Sequence, residues 1–424
     1  MTIFYRAMAF CAVVFCAVCA AADGFKPHDD VLTLNAAVRA TLAHNPQLAG
    51  YALRVQALDG EQQTAALTPP LRAAAEMENV AGSGAFKGVD AAELTLLVSS
   101  VIELGGQRDA RLGVVSARQQ QLASSQRVAT LEVLTQVTQQ FIRLAAGQEQ
   151  LKLLQQAQVL ALENIQSLNR QVQAGRTPEA ELLRAKAAWA KAGIEQAKVE
   201  QLVRGERVRL AAFWGEARPV FTQVKADVLT LPPLIPLATL SERLAFNPDL
   251  ALLGDEVQLR KQALRQARAE GDAEVSWSAG VRRLQMSEDS ALVVGLSVPL
   301  GAKGRAVGAV ATASAQQAGA EQEQAQAKVQ LQAQLVRLHG ALQQALEEVN
   351  SLRGAVLLPL QQAMRATAEA FAQGRYSYLE FHLAQRELLE TQLALIDAAA
   401  RAHLLSSEIE RLTPLQPNLV NAGG

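Results

Sequence analysis

Hydrophobic and polar positions along this chain switch between two periods, and they do so twice in the same order. From Leu34 to Leu67 apolar residues recur at helical spacing, as in Leu34, Val38 and Leu42, until Pro69-Pro70 ends the run. The period then drops to two: Leu71, Ala73, Ala75 and Met77 alternate with Arg72, Ala74, Glu76 and Glu78. After a glycine-rich loop, Leu94, Leu96 and Val98 alternate with Thr95 and Ser99. From Gly105 to Val172 the helical period resumes without a proline, a stretch on the order of 100 Å long at ~1.5 Å per residue. A return helix is expected from Pro178 to about Trp214.

The second half repeats this order. Val275, Trp277, Ala279 and Val281 alternate with Ser276, Ser278, Gly280 and Arg282. A turn at Met286–Ser290 leads to Leu292, Val294, Leu296 and Val298, which alternate with Val293, Gly295 and Ser297. A long helix from about Ala302 to Gln373 follows, with Pro359 as the expected kink. The second return helix covers Ser377 to Leu412. Three landmarks recur in one order at a spacing of about 200 residues, too long for a solenoid repeat. They are Asn45-Pro46 with Asn247-Pro248, Gly175-Arg176 with Gly374-Arg375, and Ser100-Val101 before Arg108 with Ser297-Val298 before Arg305. The chain is therefore read as a tandem duplication.

The expected organisation is a signal peptide at 1–22, a first repeat at 23–217, a connector at 218–236, a second repeat at 237–413 and a tail at 414–424. Strands are placed at about 71–80, 93–102, 274–283 and 291–300. The signal reading rests on Arg6, the apolar run Ala7 to Val18, and Ala20-Ala21-Ala22 before Asp23. The connector holds Pro219, Pro232, Pro233 and Pro236 and is expected to be irregular. Heptad-like steps at Leu151, Leu154, Ala161, Ile165, Leu168 and Val172 point to helix packing, with polar Gln158 interrupting the seam.

Strands of about ten residues have the length a tilted strand needs to cross hydrocarbon. Unpaired sheet edges are too costly in lipid, so spanning strands must close a barrel. Four strands are too few, since membrane barrels begin at eight. Three copies would supply twelve, with the long helices projecting from the bilayer as a tube. A different class stays open on the pattern alone: an exported coiled-coil or adaptor protein whose strands form an ordinary half-buried sheet. An adaptor, however, should carry one helical hairpin within β-rich domains, and this chain carries two in tandem.

Composition narrows the chemistry. Lys and Arg number 40 against 41 acids, and loss of Arg6 with the signal leaves a net charge of −2, which gives no electrostatic case for nucleic acid. All three cysteines (Cys11, Cys16, Cys19) fall in the expected signal, so the mature chain relies on neither disulfides nor thiolate metal sites. His28, His44, His339, His382 and His403 are scattered without paired ligand spacing. No cofactor and no catalytic constellation is expected. Trp277, on the expected lipid face, suits an interfacial anchor. At the helix-to-helix turns, Gly175 and Gly374 suit a left-handed helix stop, Thr177-Pro178 an N-cap and first helical residue, and Ser377-x-x-Glu380 a capping box.

In this order of elements the chain resembles the TolC-like outer-membrane efflux family across its mature length. Leu34-Asn35-Ala36-Ala37 and Asn45-Pro46 are similar to the family's opening. Glu103-Leu104-Gly105-Gly106-Gln107-Arg108 is similar to the Glu-Leu-Gly-Gly-Lys-Arg signature of its cobalt–zinc–cadmium (CzcC-like) branch. The resemblance implies a mainly α fold with a small β part: a homotrimer with a periplasmic α-barrel of helical hairpins and a twelve-stranded outer-membrane barrel. It implies a periplasmic adaptor and an inner-membrane resistance–nodulation–division pump as partners, and passive conduction of cargo. Heavy-metal cations are the cargo implied; drugs or a secreted polypeptide are the alternative. By the same resemblance Gly175, Arg176, Thr177, Gly374, Arg375 and Tyr376 become adaptor contacts at the periplasmic tip. Glu380, and Glu181 as its counterpart, become candidates to line the closed aperture, Leu383 standing where relatives often place a second acid.

Overall fold

A computed structural model describes residues 30–415; the expected signal peptide and the tail beyond 415 lie outside the described residues. In chain order the elements are β1 (Val31–Leu32), α1 (Leu34–His44), α2 (Pro46–Ala65), β2 (Arg72–Glu78), β3 (Glu93–Ile102), α3 (Gln107–Gln173) and α4 (Glu179–Ala212). They continue with β4 (Gln223–Val224), α5 (Leu237–Arg243), α6 (Pro248–Ala269), β5 (Val275–Leu284), β6 (Asp289–Ser297), α7 (Ala302–Ser351), α8 (Leu357–Ala372) and α9 (Tyr378–Leu412). The backbone divides into two units, one from residues 50–126 and 248–327, the other from 30–49, 127–247 and 328–415.

The first unit carries an antiparallel sheet of order β2-β3-β5-β6. Its register sorts alternate residues onto common faces. Leu94 stands opposite Met77, Leu96 opposite both Ala75 and Val281, and Val281 opposite Leu292. Trp277 pairs with Leu296 on the same side. This face is apolar yet open: Met77 is 60% exposed, Leu292 75% and Leu296 73%. The opposite face is polar and cross-linked. Arg282 on β5 donates to Thr95 Oγ1 at 3.0 Å, meets Glu93 on β3 at 3.1 Å and reaches Glu78 on β2 at 3.4 Å. Asn79 Nδ2 adds a donation to Glu93 at 3.0 Å. The last strand starts two residues earlier than the alternation suggests, because Asp289 still pairs with Leu284. It stops at Ser297, ahead of Pro299, which has no N–H to give a ladder.

The expected single helix from Leu34 to Leu67 is broken at Asn45. A residue before proline is pushed to extended backbone, and Asn45 sits at φ −68°, ψ 121°. Its Oδ1 then accepts from the N–H groups of Gln47 and Leu48 at 3.0 and 3.1 Å, starting α2 afresh.

In the second unit the main core joins α1, α3, α4 and α9 around Phe141, Leu144, Leu210 and Ala398, all fully buried. The connector is more ordered than its prolines suggest. Its β4 pairs in parallel with β1, and two histidines hold its carbonyls. His403 Nε2 donates to Val228 O and His339 Nε2 to Ile235 O, both at 3.0 Å. Arg353 adds a donation to Leu229 O at 2.8 Å. Those helical histidines therefore bind backbone rather than solvent. Proline 359 acts at a distance of a few residues: the turn before it, Leu352–Val356, is a π-helix, which absorbs the hydrogen bond that Pro359 cannot make. Gln158, the polar break in the α3 seam, lies over Gly193 of α4, where a Cβ would come within 2.9 Å of its Nε2.

Candidate functional site at the hairpin turns

Both helix-to-helix turns close by the same backbone device. At the first, Gly175 has φ +67°, its N–H donates to Val172 O at 2.9 Å, and Arg176 N–H donates to Gln171 O at 2.9 Å. At the second, Gly374 has φ +72°, with Gly374 N–H to Phe371 O and Arg375 N–H to Ala370 O, each at 2.9 Å. These paired bonds make Schellman stops, and the left-handed residue in each is the glycine. Gly175, Arg176, Gly374, Arg375 and Tyr376 are all exposed. Nothing in the turns themselves competes with an outside partner for those side chains.

The two turns differ in how the next helix begins. Ser377 Oγ and Glu380 form the expected capping box: Glu380 Oε2 accepts from Ser377 N–H at 2.7 Å and from its hydroxyl at 2.9 Å. The first turn departs from expectation. Pro178, not Thr177, is the N-cap residue, and it supplies no side-chain acceptor. Thr177 instead donates its hydroxyl across the turn to Gln171 Oε1 at 2.9 Å. Glu181 and Glu380 consequently sit in different environments. Glu380 is exposed, whereas Glu181 is 16% exposed and paired with Arg184 at 3.5 Å.

Sequence patterns gave no hint of what binds the two turns together. Leu168, Leu182, Ala185, Tyr378 and Phe381 form one buried cluster from both hairpins. Phe371 stacks on Phe381 at 4.9 Å and meets Tyr378 edge-on at 6.3 Å. His382 stacks on the far side of Tyr378 at 5.7 Å. Burial raises the Tyr378 phenol pKa, and Glu181 adds to the shift. Burial lowers that of His382, with Arg386 and Lys191 acting in the same direction. Phe371 lies before the Gly374 turn and Tyr378 and Phe381 after it, so no single helical period links them.

The Glu103–Arg108 signature forms a strand-to-helix corner. Gly105 and Gly106 have φ of +75° and +73°, and a side chain on Gly105 would collide with Asp272. Glu103 pairs with Arg111 at 2.5 Å, and Arg108 Nε donates to Ala66 O at 2.7 Å. Its residues are accounted for by the corner's geometry. Among the described residues no group of three or more His, Cys, Asp or Glu is placed to hold a metal ion, and no helix is long and apolar enough to cross a membrane.

Four strands with an open apolar face, joined to paired long helical hairpins, are the arrangement expected from the resemblance to outer-membrane efflux proteins. Residues 37–216 match the model of the outer membrane efflux protein family. The chain is 23% identical over 381 residues to the cobalt-zinc-cadmium resistance protein CzcC of Cupriavidus metallidurans, covering 90% of each chain. Among solved structures its fold is similar to CusC, with a TM-score of 0.75 at 16% identity, covering 90% of this chain and 91% of the other. It is similar also to the outer membrane protein VceC of Vibrio cholerae, with a TM-score of 0.72 at 18% identity, covering 90% and 95%.

Proposed function

We propose that this chain is the outer-membrane duct of a tripartite efflux system, carrying heavy-metal cations such as cobalt, zinc, cadmium or copper from periplasm to exterior. The observation that carries this reading is the sheet: one face apolar and open, the other polar and cross-linked, with β2 and β6 at its two edges. Pairing β6 of one copy with β2 of the next, three times over, closes a twelve-stranded barrel and leaves no edge in lipid. The duct is passive, and a resistance–nodulation–division pump supplies the energy through a periplasmic adaptor. Gly175, Arg176, Thr177, Gly374, Arg375 and Tyr376 form the adaptor-facing tip. The likeness to a cobalt-zinc-cadmium resistance protein over nine-tenths of both chains supports the cargo class. No selective metal site is needed in a passive duct, since selection falls to the pump.

Outer membranes from expressing cells should yield heat-resistant trimers that conduct in planar bilayers. Deletion of the gene should sensitise cells to zinc, cobalt or cadmium and leave drug tolerance unchanged. A soluble monomer obtained without detergent would sink the duct reading, and drug sensitivity without metal sensitivity would replace the cargo.

A further inference from the structure

Tyr378 is 2% exposed, yet its phenol has no hydrogen-bond partner among the described residues. A buried tyrosine hydroxyl ordinarily finds one. The ring is held by packing alone, with Phe371 edge-on at 6.3 Å and His382 stacked at 5.7 Å. Tyr378 and His382 line a recess of about 280 Å³ between α4 and α9. With its pKa raised, the phenol is protonated at neutral pH and offers a donor. His382, its pKa lowered, is a neutral imidazole with one ring N–H and no partner among the described residues. The charges around the recess nearly cancel. Arg184 is taken by Glu181 at 3.5 Å and Arg386 by Glu390 at 3.3 Å. Lys191, which also lines the recess, has no ion-pair partner among the described residues. One positive charge is therefore left over. Ala187, Ala188 and Leu379 make the rest of the lining apolar. The volume lies just under the ~300–1,000 Å³ typical of drug-sized ligands.

We propose that this recess is a binding site for a small monocarboxylate with an apolar body about one ring in size. Its carboxylate accepts from the Tyr378 phenol and the His382 ring, with Lys191 as counter-ion, and its body covers Leu379 and the two alanines. A single spare cation selects a monoanion over phosphate, and the two orphaned donors select a carboxylate over a neutral ring. Because the lining comes from both hairpins, an occupant bridges α4 and α9. The site goes beyond the duct reading and stands whether or not the chain conducts.

The test titrates full-length protein in detergent with benzoate, benzyl alcohol and inorganic phosphate, followed by ligand-observed NMR. Benzoate should bind roughly tenfold more tightly than either of the others. Tyr378→Phe keeps the ring and its stack, and should weaken benzoate roughly tenfold, the loss expected for a hydrogen bond to a charged group. Lys191→Gln, at an exposed position, should weaken it by a smaller factor, about two- to fivefold. Arg375→Ala, outside the recess, should leave benzoate affinity unchanged. Benzoate should also raise the denaturation midpoint of the unmodified protein but not that of Tyr378→Phe. Benzoate binding no tighter than benzyl alcohol, displacement of benzoate by equimolar phosphate, or unaltered affinity in Tyr378→Phe would each overturn the proposal.

Discussion

Asn45 and Asn247 make the same bond in the two halves of the chain. Asn45 Nδ2 donates to Phe213 O at 2.8 Å, and Asn247 Nδ2 donates to Leu412 O at 2.9 Å. Each asparagine thus ties the start of its own repeat to a carbonyl at the end of that repeat's return helix, where no intrahelical donor remains. The Asn-Pro landmark is a clamp that closes each repeat on itself.

Replacing either asparagine with alanine leaves the partner carbonyl without its donor, and Asn247 is 1% exposed. Each substitution should cost about 1–3 kcal/mol. Denaturant titration of the purified protein checks this, and Asn247→Ala should be the more damaging because water cannot reach the vacated carbonyl.

The signature glycines are predicted to separate. Alanine at Gly106 meets only the strain of a left-handed backbone, about 1–2 kcal/mol, because space there is open. Alanine at Gly105 bears that strain and also a collision with Asp272. Gly105→Ala should lower the yield of heat-resistant trimers well below Gly106→Ala, and the added substitution Asp272→Gly should restore part of it.

Glu380 is open to a test that separates charge from capping. Glutamine serves a capping box as glutamate does, so Glu380→Gln removes charge and keeps the helix start. If three copies of Glu380 narrow a closed aperture, both Glu380→Gln and Glu380→Ala should raise resting conductance in planar bilayers. Unchanged conductance in both would leave Glu380 the capping role alone.

Two ionisable groups in α9 set opposite limits on stability with pH. Burial pushes the Glu410 carboxyl up to about 7, partly offset by the Ser406 hydroxyl, which donates at 3.3 Å. A raised carboxyl favours the native state below pH ~4.5 and loses that contribution as pH rises through about 7. Burial lowers His403, against its bonds to Val228 and Thr230 and the charge of Asp227. A depressed histidine costs stability as pH falls below its ordinary value of ~6.5. Glu410→Gln should therefore raise stability at pH 8, by on the order of 1 kcal/mol. His403→Gln should flatten the acid side, and denaturant midpoints across pH read both.

Much of this architecture was legible before the fold was known, because it is written in short-range periods. Alternation at Leu94, Leu96 and Val98 needs only one strand to be read, and Ser377-x-x-Glu380 needs only one helix start. Long-range partners left no such trace. Phe213 lies 168 residues from Asn45, and the stack of Phe371 on Phe381 forms only after the helix reverses at Gly374. Thr177 misled for a local reason: its hydroxyl donates across the turn to Gln171 Oε1 instead of accepting from the first amides of the next helix, and Pro178 takes the boundary. The ordering of the connector by His339 and His403 depends on helices more than a hundred residues downstream.

The sheet has a consequence for how such a chain must be made. Between synthesis and insertion, Met77, Leu292, Val294 and Leu296 face water, and strands β2 and β6 offer unpaired backbone to any passing strand. A lone copy is for that interval an aggregation hazard whose own surfaces invite the wrong partner. On the trimeric duct reading, crossing the periplasm safely calls for an escort that masks this face and both edges, and for release only where other copies are at hand.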